Sequence, residues 1–572
     1  MPQLQEKIGL ALSGGGLRAS FFHIGLMAQM AEQGILKSVS VISTVSGGSI
    51  IGALYYLHLK NLLESKTDQD ITDQDYIEII KTIEADFLEA TEKNIRMNVL
   101  SDVRKNFHMR KADYSRSTRI SELYNNYLYQ KVANNLGNPV ELQNLKIQPL
   151  AGPENFHPDE HNEERTAKVP ILVINSTTLN GARNWQFTAK TMGEHPSRDS
   201  SIDIDKKPIR LRRAKKGYSD LIKPLQGFSL GHAVAASACV PGLFDPLAIN
   251  DLYYDKVNSE KIVPQLVDGG VFDNQGIISL LEQNCSQFIV SDASGQMGME
   301  NEIDTSPVSV LLRVTSVFQD RIRTESLLHL IDSKGEQNIA FINLRKGLEE
   351  REISWKDKNN QAGDDIIFPS TCQEFGVDPT VQKKLSLMRT DLDAFTEVEA
   401  YSLMLDAYQM SKQELIKFRQ TDQPSENDST WQFSQMAEFM KNPKPDYLKQ
   451  LDVSQAVFGK ALQVFPWLWA LIILVIGAII YYAWQPIIEP ALNSTFTVYA
   501  VLAAIALWAA TILAPKFEHI ISVLHNLRPQ AVLLQRLGKA CLLVILTLIV
   551  TLYLKFINPM YLDYGRVDKL KK

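Results

Sequence analysis

In the N-terminal half of the chain, short apolar runs alternate with apolar positions at helical spacing. Ile8–Leu12 is an unbroken apolar run, followed by a glycine cluster and then a helical pattern over Phe21–Gln33. Val39–Val45 repeats the design, with Ser46-Gly47-Gly48 and then the helical run Ile50–Lys60. Pro170–Asn175 and Phe288–Ser291 carry the same strand pattern. Strands without polar alternation are covered on both faces. Strands alternating with helices predict an α/β fold built on a mainly parallel central sheet. Ligands and chemistry in such sheets gather in the loops at the carboxyl ends of strands. Both glycine clusters fall there.

The C-terminal part follows a different rule. Ala461–Ile488 holds 28 residues without a charge, and Pro490–Pro515 another 26. About 20 apolar residues suffice for a helix to cross a bilayer. Trp467, Trp469, Tyr481, Tyr482 and Trp484 sit near the ends of the first run, where amphipathic rings favour the membrane interface. Expected spans are therefore 464–484 and 496–514, with a third at 540–557 if Lys555 snorkels. The loop after the second run carries Lys516, Arg528, Arg536 and Lys539, whereas Glu489–Thr495 has no Lys or Arg. The positive-inside rule then places the N-terminal region on the cytoplasmic side of a multi-pass cell-membrane protein. The expected division is an α/β domain over 1–410, a polar helical linker over 411–460 and a membrane region over 461–572.

Composition alone conceals this division. The 572 residues are 45% hydrophobic and 22% charged, with a net charge of −6, and the mean hydropathy of −0.11 averages two unlike parts. The mildly acidic balance gives no pull toward nucleic acid. Four scattered cysteines, Cys239, Cys285, Cys372 and Cys541, make no metal or disulfide pattern and read as reduced thiols. No secretory signal is expected, since Ile8–Leu12 is far too short for its apolar core. Seven basic residues within Lys206–Lys216 could meet anionic headgroups or form a solvated loop. The charged stretch Glu349–Asp365 reads as an exposed insertion.

Three motifs carry candidate chemistry. Ser13-Gly14-Gly15-Gly16-Leu17-Arg18-Ala19 joins a strand to a helix, so backbone N–H groups and the helix dipole can converge on an anion. Read as Gly14-x-Gly16-x-x-Ala19 it also fits a loose dinucleotide fingerprint, but the second strand lacks the acidic residue that binding needs. No Gly-Lys-Ser/Thr follows, so it is not a Walker loop. Thr44-Val45-Ser46-Gly47-Gly48 has the setting of a nucleophile elbow, with Thr44 where the usual pattern has glycine. Leu266-Val267-Asp268-Gly269-Gly270 brings a carboxylate to the end of an apolar strand; a plain turn is the alternative.

Together, and in this order, these motifs resemble the patatin-like phospholipase family. The resemblance runs from about Lys7 to Ser294 and extends toward Asp406. It includes Ala233–Phe244, an Ala/Ser-rich helix ending before proline, and the strand pair Val169–Phe187. It implies a three-layer sandwich and a Ser–Asp dyad without catalytic histidine, metal or cofactor. Ser46 would be the nucleophile and Asp268 its base. Gly14, Gly15, Gly16 and Gly47 would form the oxyanion hole, and Arg18 would steady the loop or bind a lipid phosphate. The substrate implied is a membrane phospholipid or other lipid ester drawn from the bilayer. Ala19 and Thr44 stand where many members have glycine. A lysophospholipase or thioesterase on the same dyad, or a non-catalytic lipid-binding protein, are the alternatives. A histidine base, His23 or His232, would make a triad, but neither follows an acidic member at a strand end.

Overall fold

The computed structural model describes residues 6–109, 114–194, 215–255, 259–348 except 296 and 299, then 355, 356, 358, 375–419, 431–483 and 529–571. The basic stretch up to Ala214, most of the 349–365 insertion and the expected span 496–514 lie outside them. The chain forms two contact units. The first comprises Met1–Val99, His108–Val457 and Leu562–Lys572; the second comprises Leu100–Phe107 and Phe458–Tyr561.

The first unit is built on a ten-stranded sheet. Its strands are β1 (Ile8–Leu12), β2 (Val39–Val45), β3 (Ile171–Thr178), β4 (Arg183–Phe187), β5 (Thr191–Glu194), β6 (Lys216–Gly217), β7 (Leu247–Ala248), β8 (Gln265–Asp268), β9 (Gln287–Asp292) and β10 (Ile339–Asn343). The main path runs β10-β9-β1-β2-β3-β4-β5-β6. It is parallel from β10 to β3 and antiparallel from β3 to β6. All residues of β1 and β2 are buried, the apolar run of β1 and the β-branched run of β2 with its Ser40, Ser43 and Thr44 alike.

Helices α1 (Gly16–Glu32), α2 (Gly47–Ser65) and α3 (Asp73–Glu92) follow the first two strands. Further along come α4 (Leu230–Ser237), α5 (Gly270–Asp273), α6 (Ile277–Glu282), α7 (Pro307–Lys334) and α8 (Glu397–Glu414). One sheet face packs α6 and the end of α7 into a core of Ala11, Val41, Val173, Leu280, Phe288 and Leu330. Helix α1 packs against α2, α3 and α8. This is the expected three-layer arrangement.

The placement of β8 matters most for function. β2 runs parallel to β3 and ends with Val45 opposite Asn175. β8 runs antiparallel to β3 and ends with Asp268 opposite Ser176. The two strands therefore approach head to head along one side of β3, and their carboxyl ends meet.

The polar stretch read as a linker is packed where it is described. Trp431 Nε1 donates to Glu32 at 2.7 Å and the Phe433 amide to Glu84 at 2.7 Å. The two rings stack 5.6 Å apart, and this aromatic burial makes 431–457 part of the first unit. The C-terminal tail also belongs there: the Val398 amide donates to the Gly565 carbonyl at 3.0 Å, and Val567 and Leu570 are buried.

The second unit holds α9 (Trp467–Ala483) and α10 (Pro529–Leu552), which continues through a π-helical turn to Tyr564. Among the described residues, one helix, Leu542–Tyr564, is long and apolar enough to cross a membrane. Within this unit Asn106 Nδ2 donates to Thr547 Oγ1 at 2.8 Å, and both residues are buried.

Candidate active site

Ser46 occupies the turn between β2 and α2 with φ 50° and ψ −116°. A side chain rarely adopts that backbone, which costs of order 1–3 kcal/mol and persists only where its surroundings impose it. The surroundings are specific. The Ser46 amide donates to Ser237 Oγ at 2.9 Å, and the Gly48 amide to the Ser13 carbonyl at 3.1 Å. A Cβ on Gly47 would lie 2.0 Å from the Gly16 carbonyl oxygen, so only glycine lets the elbow press against the glycine loop.

The Ser46 side chain sits beside the Asp268 carboxylate and lowers its pKa. That carboxylate is held by the Gly270 amide, which donates to Oδ1 at 2.7 Å. Asp268 is 7% exposed, and burial pushes its pKa up to about 6 against the lowering effects of Gly270 and Ser46. A carboxylate with a pKa in that range, beside a serine on a strained turn, is suited to accept its proton.

Anion-stabilising groups surround the pair. Gly15 and Gly16 have φ of 139° and 59°, which turns successive amides toward one side at the start of α1. Among the described residues the N–H groups of Gly15, Gly16 and Gly47 have no hydrogen-bond partner. The Gly14 amide, by contrast, donates to the Asn274 carbonyl at 3.0 Å. Gly14 therefore contributes closeness rather than a donor: a Cβ there would come 3.2 Å from Ser46 Cβ and 2.2 Å from Asn274 Oδ1. Among the described residues no group of three or more His, Cys, Asp or Glu side chains converges as metal ligands would.

A family model described as patatin-like phospholipase matches residues 10–281. Residues 10–281 are thus similar to a patatin-like phospholipase domain. No curated protein matches the chain. Among solved structures, human GIVD cytosolic phospholipase A2 in complex with methyl gamma-linolenyl fluorophosphonate inhibitor and terbium chloride is similar at 12% identity and a TM-score of 0.36. That match covers 72% of this chain and 59% of the human one, so the chain spans under two thirds of its length. VipD from Legionella pneumophila is similar at 13% identity and a TM-score of 0.26, over 78% of this chain and 75% of that one.

Within this patatin-like domain the remaining expected residues take structural positions. Arg18 is 2% exposed. Its guanidinium donates to the Ala293 carbonyl at 2.9 and 3.2 Å and to the Met388 carbonyl at 2.7 Å. Burial lowers its pKa to about 10. It steadies the glycine loop, and its donors are committed to backbone rather than to a lipid phosphate. His23 is fully buried, and desolvation lowers its pKa to about 4. Its Nε2 donates to the Ser13 carbonyl at 3.0 Å, so Nδ1 accepts from Ser291 Oγ at 2.7 Å. That neutral imidazole braces the loop and makes no triad. Burial also lowers the pKa of His232, whose Nδ1 pairs with Ser229 Oγ at 3.1 Å.

Thr44 fits because its space comes from elsewhere. Its Oγ1 donates to the Val173 carbonyl at 3.2 Å and accepts from Ser49 at 2.9 Å. Its methyl lies over Gly52 of α2, where a Cβ would come within 2.5 Å. The glycine absent before Ser46 is replaced by one a helical turn and a half after it. Sequence reasoning missed Ser237. Its hydroxyl holds the Ser46 amide, its carbonyl accepts the Gly269 amide at 3.1 Å, and it ties the Ser46 and Asp268 turns to α4. The one available sign was its place in the Ala/Ser-rich stretch.

Proposed function

We propose that the chain is a serine lipid acyl hydrolase tethered to a membrane. Ser46 Oγ attacks the ester carbonyl carbon while Asp268 takes its proton. The tetrahedral oxyanion rests on the N–H groups of Gly15, Gly16 and Gly47, and its collapse expels the alcohol with a proton returned from Asp268. Asp268 then activates water, which cleaves the acyl–Ser46 ester and releases a fatty acid. The meeting of Ser46, on its strained turn, with the buried Asp268 at the facing strand end carries this reading.

The test is covalent labelling. A fluorophosphonate should modify Ser46 in the full-length protein, and Ser46→Ala or Asp268→Asn should abolish release of fatty acid from phospholipid vesicles. Undiminished hydrolysis by Ser46→Ala sinks the mechanism.

Anchoring belongs to the same proposal. Both connections to the charge-free region, at Val457 and at Leu562, join the hydrolase unit. That return supports an even number of crossings, with Leu542–Tyr564, the one described helix long and apolar enough, as one of them and both chain ends on the cytoplasmic side. Tags at the two termini should be cleaved by protease from the same side of sealed vesicles. Cleavage from opposite sides would restore three spans.

A further inference from the structure

We propose that the N-terminal half of α7 is the face through which the hydrolase unit docks on the phospholipid bilayer. This rests on the lipid-hydrolase reading above. The helix is amphipathic in the wrong sense for a soluble protein. Ser309, Arg313, Ser316, Asp320 and Arg323 recur at three- and four-residue spacing and are the partly covered positions, facing the protein. Val310, Leu311, Val314, Val317, Phe318 and Ile322 form the opposite face and are exposed, Leu311 by 67% and Phe318 by 62%.

Ion pairs hold the helix in that orientation. Arg313 bonds Glu300 at 2.7 Å and the Gly298 carbonyl at 2.6 Å. Arg323 Nε bonds the fully buried Asp292 carboxylate at 2.6 Å. Rolling the helix to hide its apolar side would strip Asp292 of this partner.

Position links the stripe to the chemistry. Leu330, near the end of α7, packs in the sheet core with Phe288 and Val290 of β9. Arg323 meets Asp292 at the carboxyl end of β9. Residues before Arg323 therefore project beyond the end of the sheet where Ser46 and Asp268 sit. There Ser13 and Ala293 are joined by the Ala293 amide donating to Ser13 Oγ at 3.0 Å. Helix α5, which directly follows Asp268, packs against α7.

The size of the stripe selects its occupant. From Val310 to Ile322 is about 18 Å of helix, and with a helix about 10 Å wide the strip covers roughly 200 Å². A stable second copy needs about 800 Å² per partner. A bilayer makes no such demand, because a helix can lie at the headgroup–acyl boundary with its apolar side immersed. Exposed Arg321 lies on the same face, two turns after Val314 near the end of the stripe, and suits a headgroup phosphate.

Photocrosslinking distinguishes the occupants. Full-length protein carrying p-benzoylphenylalanine in place of Phe318 would be reconstituted in phosphatidylethanolamine/phosphatidylglycerol vesicles and irradiated. A phospholipid adduct at position 318 is expected. A crosslinked dimer, a link to another segment of the same chain, or no lipid adduct overturns the proposal. In a second arm, Leu311→Gln combined with Phe318→Gln should slow vesicle hydrolysis at least tenfold and leave a water-soluble short-chain ester unaffected. Equal losses on both substrates, or no loss on vesicles, also overturn it. Failure of the hydrolase reading looks different: neither substrate would show Ser46-dependent turnover, whatever the adduct.

Discussion

The pairing of Thr44 with Gly52 can be tested as a closed cycle. In Gly52→Ala the new Cβ would lie 2.5 Å from Thr44 Cγ2, whereas carbon atoms pack comfortably at about 3.5–4.0 Å. Roughly 1 Å must come from β2 or α2, and Ser46 joins the two. Overpacking of this kind costs about 1–3 kcal/mol. A shift of the nucleophile by a fraction of that distance should slow fluorophosphonate labelling at least tenfold. Thr44→Ser removes only the methyl and keeps the hydroxyl that bonds Val173 and Ser49, so it should cost about 1 kcal/mol and leave labelling nearly unchanged. In the double variant the serine vacates the space the alanine enters. Its stability loss should fall short of the sum of the single losses by about 1–2 kcal/mol, and labelling should recover. Denaturant midpoints and labelling rates of the four proteins decide the matter. Strict additivity in both would refute the claim that Gly52 makes room for Thr44.

Other expected outcomes concern the site's charges and braces. Because the base must be ionised and its pKa is raised to about 6, hydrolysis of a soluble ester should rise with pH, reach half its maximum near pH 6 and then level off. The raised value also means that the folded state holds the Asp268 proton more tightly than the unfolded chain does. Stability from this group is therefore intact below about pH 4 and is lost as pH rises through 6, costing about 3 kcal/mol at pH 8. Asp268→Asn should accordingly be inactive yet more stable than the parent at pH 8, with no gain at pH 4, as denaturant melts at the two values would reveal. Ser237→Ala leaves the buried Ser46 amide without its acceptor; labelling should slow about tenfold, with KM for a soluble ester unchanged. Arg389 and Glu399 form a buried ion pair, and Arg389→Met should destabilise the first unit by about 3–5 kcal/mol without altering the pH profile of the remaining active protein.

The sheet, its mainly parallel order and the three chemical motifs were legible because each is local. Unbroken apolar runs mark buried strands, and glycines beside a serine or aspartate mark strand ends. Gly14 was read as an oxyanion donor because glycine clusters advertise free amides, but the partner of its N–H, Asn274, lies far along the chain. Arg18 was half legible: its charge pointed equally to a phosphate or to backbone, and its carbonyl partners at Ala293 and Met388 decide between them. Packing of 431–457 escaped notice because polar and proline-rich composition masks the two aromatic anchors, Trp431 and Phe433. The inverted face of α7 has helical periodicity, yet periodicity does not say which side meets the protein; the Arg323–Asp292 contact does.

The head-to-head meeting of β2 and β8 has a consequence for how such a protein can change over time. Ser46 and Asp268 are separated by residues 47–267, but their spacing is set by one step along β3, from Asn175 to Ser176. Whole modules could be spliced into the connections between these strands, and new specificities added there, with the reacting pair undisturbed. Deleting a single residue from the middle of β3 would do what no such insertion does. The chain is thus forgiving in its loops and intolerant at one inconspicuous rung that contains neither reacting group.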